Sequence, residues 1–86
     1  MNRDATMFHL REAAEEINKT ISALSLDAEF DEVELELAMG HLYHHLNTAW
    51  NGRNQTDVQF SKCTDEDFAR FRKFPSEQEF AYLMSI

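Results

Sequence analysis

The apolar residues near the N-terminus recur at the spacing of an amphipathic helix. Intervals of three and four residues separate Met7, Leu10, Ala14, Ile17, Ile21 and Leu24. This is the repeat by which one stripe of a helix packs against another helix. Because no glycine or proline interrupts the pattern, it predicts a first helix from about Asp4 to Ser25.

A second apolar stripe follows an acidic segment. It consists of Leu35, Met39, Leu42, Leu46, Ala49 and Trp50. Asp27 is a suitable N-cap and Asn51-Gly52 a typical left-handed stop, so we predict a second helix that ends at Trp50 or Asn51. Its stripe is expected to pack against the stripe of the first helix. Residues 33–37 alternate as a strand would, but the spacing that follows them favours a helix.

The C-terminal third of the chain is less regular. Residues 51–63 show neither helical nor convincing strand periodicity, and we expect an ordered loop there. Thr64 begins a variant of the capping box, which predicts a third helix from Asp65 to about Lys73. Pro75 ends that helix, and a capping box at Ser76 begins a fourth. Its apolar face holds Phe80, Leu83 and Met84.

The second helix is apolar on two sides, because Phe30, Val33 and Leu37 lie nearly opposite its main stripe. Either the C-terminal segment or another subunit must cover this second side. We therefore predict an all-α fold in one domain, residues 1–86. It is a long antiparallel hairpin with two short C-terminal helices packed on the second helix. The two-sided surface in so short a chain also predicts a homodimer.

Composition and charge exclude several classes of protein function. The chain carries 16 acidic and 8 basic residues, for a formal charge of −8 and a pI near 4.8, which disfavours direct binding to nucleic acid or to an anionic membrane. No apolar run approaches the ~20 residues that a bilayer requires. Cys63 is the only cysteine, which suits a reducing compartment, and we expect a cytoplasmic protein. With only Gly40 and Gly52, a glycine-rich phosphate loop is excluded.

Three histidines on the second helix are the main candidates for metal chemistry. His41 and His45 are four residues apart, so both imidazoles can reach one zinc or other transition-metal ion, with His44 beside them. A third ligand would have to come from His9 or from a carboxylate elsewhere in the chain. The alternative is a polar helix face, or imidazole rings that cover phenylalanine side chains. We expect this alternative, and therefore no cofactor.

The remaining features favour binding over catalysis. No nucleophile motif is present, and we expect no catalytic residue. Aromatic, amide and guanidinium groups, which are enriched in protein interfaces, cluster late in the second helix at Tyr43, Asn47, Trp50 and Arg53. We predict a non-enzymatic cytoplasmic module for protein–protein interaction or regulation. The alternatives are a histidine-rich metal-binding domain and an inhibitor whose acidic residues 27–36 mimic a nucleic acid.

Overall fold

The structure of the protein, a computed structural model, describes residues 1–75. It contains four helices in this range: α1 (Arg3–Leu26), α2 (Glu32–Asn51), α3 (Asp57–Lys62) and α4 (Asp65–Phe71). The long helices α1 and α2 pack together as an antiparallel hairpin, and α4 packs on α2. No strand occurs within residues 1–75, so the all-α prediction is confirmed. None of these helices is long and apolar enough to cross a bilayer.

The predicted bounds of the first helix are confirmed to within one residue. Asn2 is the N-cap, and its side-chain oxygen accepts a hydrogen bond from the Ala5 backbone N–H at 3.1 Å. At the other end, the Asp27 N–H donates to the Ala23 carbonyl at 2.9 Å. The helix therefore ends in the short connection that the sequence suggested.

The predicted start of the second helix is wrong by four residues. Asp31, not Asp27, is the N-cap of α2, and its carboxylate accepts from the Glu34 N–H at 2.9 Å. The Asp27 carboxylate instead accepts from the Glu29 N–H, while the Phe30 N–H donates to the Asp27 carbonyl. Asp27 therefore stabilises a turn between the helices, a role that aspartate fills as readily as capping.

The loop predicted for residues 51–63 contains a helix, so that prediction is wrong in part. The Thr56 hydroxyl accepts from the Gln59 N–H at 3.1 Å, and the Gln59 side chain accepts from the Thr56 N–H at 3.0 Å. This reciprocal pair is a capping box, and it begins α3. Cys63 ends α3 in a left-handed conformation, with a φ of 42°.

The next helix begins as predicted, with the Thr64 hydroxyl accepting from the Asp67 N–H at 3.1 Å. It ends at Phe71, two residues before Lys73. The helix predicted from Ser76 onward lies outside the described residues.

The two long helices pack together as predicted, but the predicted stripe is not the most buried side of α1. On α2, Ala49 of the predicted stripe is buried, and Leu35, Met39 and Leu42 are half-buried. On α1 the buried residues are Ala5 and Ala13, whereas five side chains of the predicted stripe are between 40% and 56% exposed: Met7, Leu10, Ile17, Ile21 and Leu24. Small side chains let two helices approach closely, so these alanines lie nearer to the contact than the large apolar residues of α1 do.

The two glycines of the chain lie in different surroundings. Gly52 has a negative φ of −97°, so it is not the left-handed stop that was predicted. A Cβ there would lie 2.8 Å from the Thr48 carbonyl oxygen, so close approach is what requires glycine. Gly40 lies inside α2, and a Cβ there would have no described atom of a neighbouring group within 4 Å.

Candidate functional site

The residues predicted to bind a partner lie along the last turns of α2. Asn47 is only 5% exposed, and its amide donates to the Arg72 carbonyl at 3.2 Å. The Arg53 guanidinium lies 3.8 Å from the centre of the Trp50 ring and donates to the Trp50 carbonyl. Asn47 therefore anchors the end of α4 inside the fold, and Arg53 orders the chain after α2.

Tyr43 is the most accessible of the four predicted residues, at 42% exposure. Its ring contacts the Phe74 ring edge to face, with 5.3 Å between the centroids. Partner binding by Tyr43, Trp50 and Arg53 stays a prediction.

The histidines of the two long helices form one cluster. The antiparallel hairpin brings His9 of α1 to α2, where its ring centroid is 6.4 Å from that of His45. The rings of His44 and His41 lie 5.3 Å and 6.1 Å from the His45 ring. Of the four, His41 is the most open to solvent, with its side chain 72% exposed and 3.8 Å from the Glu16 carboxylate.

Burial shapes the electrostatics of this cluster. Desolvation, followed by the neighbouring His45 and His44, lowers the pKa of His9, although Glu12 raises it in part. Desolvation, followed by His45 and His41, lowers the pKa of His44. The buried Nδ1 atoms of His9, His44 and His45 have no hydrogen-bond partner among the described residues. The fold therefore favours neutral imidazoles at His9 and His44.

The cluster packs against phenylalanine rings. His44 contacts Phe68 of α4 at 4.8 Å between ring centroids, and His9 contacts Phe60 of α3 at 5.7 Å. No group of three or more histidine, cysteine, aspartate or glutamate side chains within residues 1–75 is arranged to hold a metal ion. The geometry of these rings is therefore that of aromatic packing under α3 and α4.

A cavity of about 240 Å³ lies between the histidine cluster and the two short helices. Its wall is mainly aromatic and includes Phe8, His9, His44, Phe60, Phe68 and Phe71. Cys63 and Asp67 lie at the same cavity, but no hydrogen bond joins the Cys63 thiol to an imidazole within the described residues.

One side of the hairpin is covered by α3 and α4. Phe8 of α1 contacts Phe60 of α3 edge to face at 5.4 Å, and His44 of α2 contacts Phe68 of α4. The Asn51 amide also donates to the Phe71 carbonyl at 2.8 Å, which ties the end of α4 to α2. We call this side of the hairpin the covered face.

The opposite side of the hairpin is apolar and open to solvent. Leu10 and Leu46 follow His9 and His45, which face each other between the helices. Each residue is rotated by about 100° around the helix axis from the residue before it. In an antiparallel pair, the residues that follow His9 and His45 therefore point to the same side of the hairpin. Both apolar stripes therefore lie side by side, away from α3 and α4. This side, which we call the open face, consists of five α1 residues that are at least 40% exposed and four α2 residues, of which Leu46 is 38% exposed and the others are half-buried. They are Met7, Leu10, Ile17, Ile21 and Leu24 of α1 and Leu35, Met39, Leu42 and Leu46 of α2.

The acidic segment of residues 27–36 is solvated. Its six carboxylate residues are exposed, whereas Phe30 and Leu35 within it are half-buried. The carboxylates of Asp27 and Asp31 also accept backbone hydrogen bonds. Mimicry of a nucleic acid by this segment stays a prediction.

Comparison with known proteins identifies no relative. The chain matches no protein-family model, no curated protein and no solved structure. A functional inference therefore rests on the geometry of this chain itself.

Proposed function

We propose that the protein is a non-enzymatic interaction module that binds a helical protein surface through its open face. The observation that carries this proposal is the exposure of the α1 stripe, whose five large apolar side chains are at least 40% exposed over nearly the whole helix. Single exposed apolar residues are ordinary, but a contiguous apolar surface of this length is typical of an interaction site.

The chemistry of the open face supports a helical partner. Its residues follow the three–four spacing by which helices pack side by side, and no charged residue lies on the α1 stripe between Met7 and Leu24. An apolar groove between two helices accepts the apolar stripe of a third or fourth helix.

Site-specific cross-linking in cells that naturally express the protein tests the proposal. A photoreactive residue in place of Ile21, on the open face, is expected to give a discrete cross-linked product. The matched control is the same residue in place of Lys19, which is exposed on the other side of α1. Absence of a product at Ile21, or equal products at both positions, would count against an interaction at the open face.

A further inference from the structure

We infer that the occupant of the open face is a second copy of this chain, so that two hairpins stack face to face as a four-helix bundle. This inference rests on the proposed function and names its partner. Each copy would supply two antiparallel helices with adjacent apolar stripes, which is half of such a bundle. Stacking the same surface on itself about a two-fold axis gives a closed, isologous dimer.

The spacing of the open face fits this arrangement. On α1 the stripe runs through Leu10, Ile17 and Ile21, and on α2 it runs through Leu35, Leu42 and Leu46. Intervals of three and four residues, repeated in both helices, are those that interlock in bundles and coiled coils. In the single chain the α1 part of this pattern stays 40–56% exposed, and the buried residues of α1 are Ala5 and Ala13 beside it.

The open face also has the size that a dimer needs. The stripe from Met7 to Leu24 extends over about 26 Å of helix, and two packed helices are roughly 20 Å wide. This surface is on the order of the ~800 Å² that each partner buries in a standard interface.

The number of stripes also favours a hairpin as the occupant. A single helix would lie along only one of the two stripes, whereas a second hairpin matches both.

Sedimentation equilibrium of the full chain between about 1 and 100 µM tests the inference. We expect a species of twice the 10.1 kDa chain mass at the upper concentrations. The double variant Ile17→Lys/Ile21→Lys is expected to sediment as a monomer, because lysine charges would be buried in the interface. The control Leu37→Lys changes an apolar side chain that is 72% exposed outside the open face, and it should remain dimeric.

Thermal unfolding provides a second measurement that does not depend on the variants. The melting temperature of a dimer rises with protein concentration, whereas that of a monomer does not. A monomeric wild type with a constant melting temperature would overturn the inference, as would a double variant that remains dimeric. If the wild type is monomeric but Ile21 cross-links to a different protein in cells, the proposed function stands and only the identity of the partner is wrong.

Discussion

The two faces of the hairpin are built in different ways. The covered face is irregular in sequence: aromatic rings from four helices meet there, and the Asn47 and Asn51 amides bond to carbonyls at the end of α4. The open face is the most regular apolar pattern in the chain, and it has no cover among the described residues. Regular spacing in this protein therefore marks the more exposed apolar surface, whereas specific polar anchors mark the surface that is covered within the chain.

The largest expected effect concerns the aromatic cover. Phe71 is 8% exposed, so Phe71→Ala should cost about 3–5 kcal/mol of unfolding free energy through lost burial and a cavity. Ile21 is 56% exposed, so Ile21→Ala should cost less than about 1 kcal/mol when the protein is dilute enough to be monomeric. Urea unfolding of both variants gives the comparison. Equal costs would mean that the two faces do not differ as described.

The second prediction concerns Gly52, which lies beneath α4. A Cβ at this position would be 2.8 Å from the Thr48 carbonyl oxygen and 3.4 Å from the Phe71 ring. We expect Gly52→Ala to destabilise the fold by about 1–3 kcal/mol, as overpacking of a close contact does. Chemical denaturation of both proteins at one protein concentration measures this loss of stability. An unchanged midpoint would contradict close packing around Gly52 at the end of α2.

Much of the helical architecture could be predicted from local signals. The Thr64 hydroxyl and the uninterrupted α1 pattern act within a few residues, so α1 and the start of α4 were predicted to within one residue. The start of α3 was missed although Thr56 and Gln59 form a regular capping box. That signal was available in the sequence, but the weak periodicity of residues 51–63 concealed it.

The candidate site was much less predictable, because side-chain spacing identifies a stripe but not what the stripe contacts. The α1 stripe was correct as a helical face, but it is 40–56% exposed, and the buried residues of α1 are Ala5 and Ala13. Asn47 has the chemistry of a surface contact, yet its bond to the Arg72 carbonyl depends on where a distant segment ends. The meeting of His9 with His45 likewise follows from the register of the hairpin, which no local pattern specifies.

The third prediction is that the stability of the fold depends on pH through His9 and His44. Burial lowers the pKa of His9 and of His44 below the ordinary value of 6.5, so the unfolded chain takes up protons first as the pH falls. This contribution to stability is complete above pH 6.5 and is lost as the pH falls below it. Urea midpoints between pH 7.5 and 5.5 should therefore decrease.

His44→Gln should weaken this dependence, because it removes one of the two half-buried imidazoles whose pKa is lowered. The matched control is His41→Gln, which changes a side chain that is 72% exposed and should keep most of the dependence. A wild-type midpoint that does not change over this pH range would contradict a role for buried neutral histidines.

The smallest expected effect is at Gly40, beyond the reach of α4. A Cβ there would have no described neighbour within 4 Å, and the residue lies inside α2 with a negative φ. Glycine within a helix costs roughly 0.5–1 kcal/mol relative to alanine, so Gly40→Ala should stabilise the protein by about that amount. Urea unfolding of Gly40→Ala and Gly52→Ala measures the change in unfolding free energy for each variant, and the two changes should have opposite sign. Destabilisation by Gly40→Ala would show that a further part of the protein, or a second chain, packs against α2 at this point.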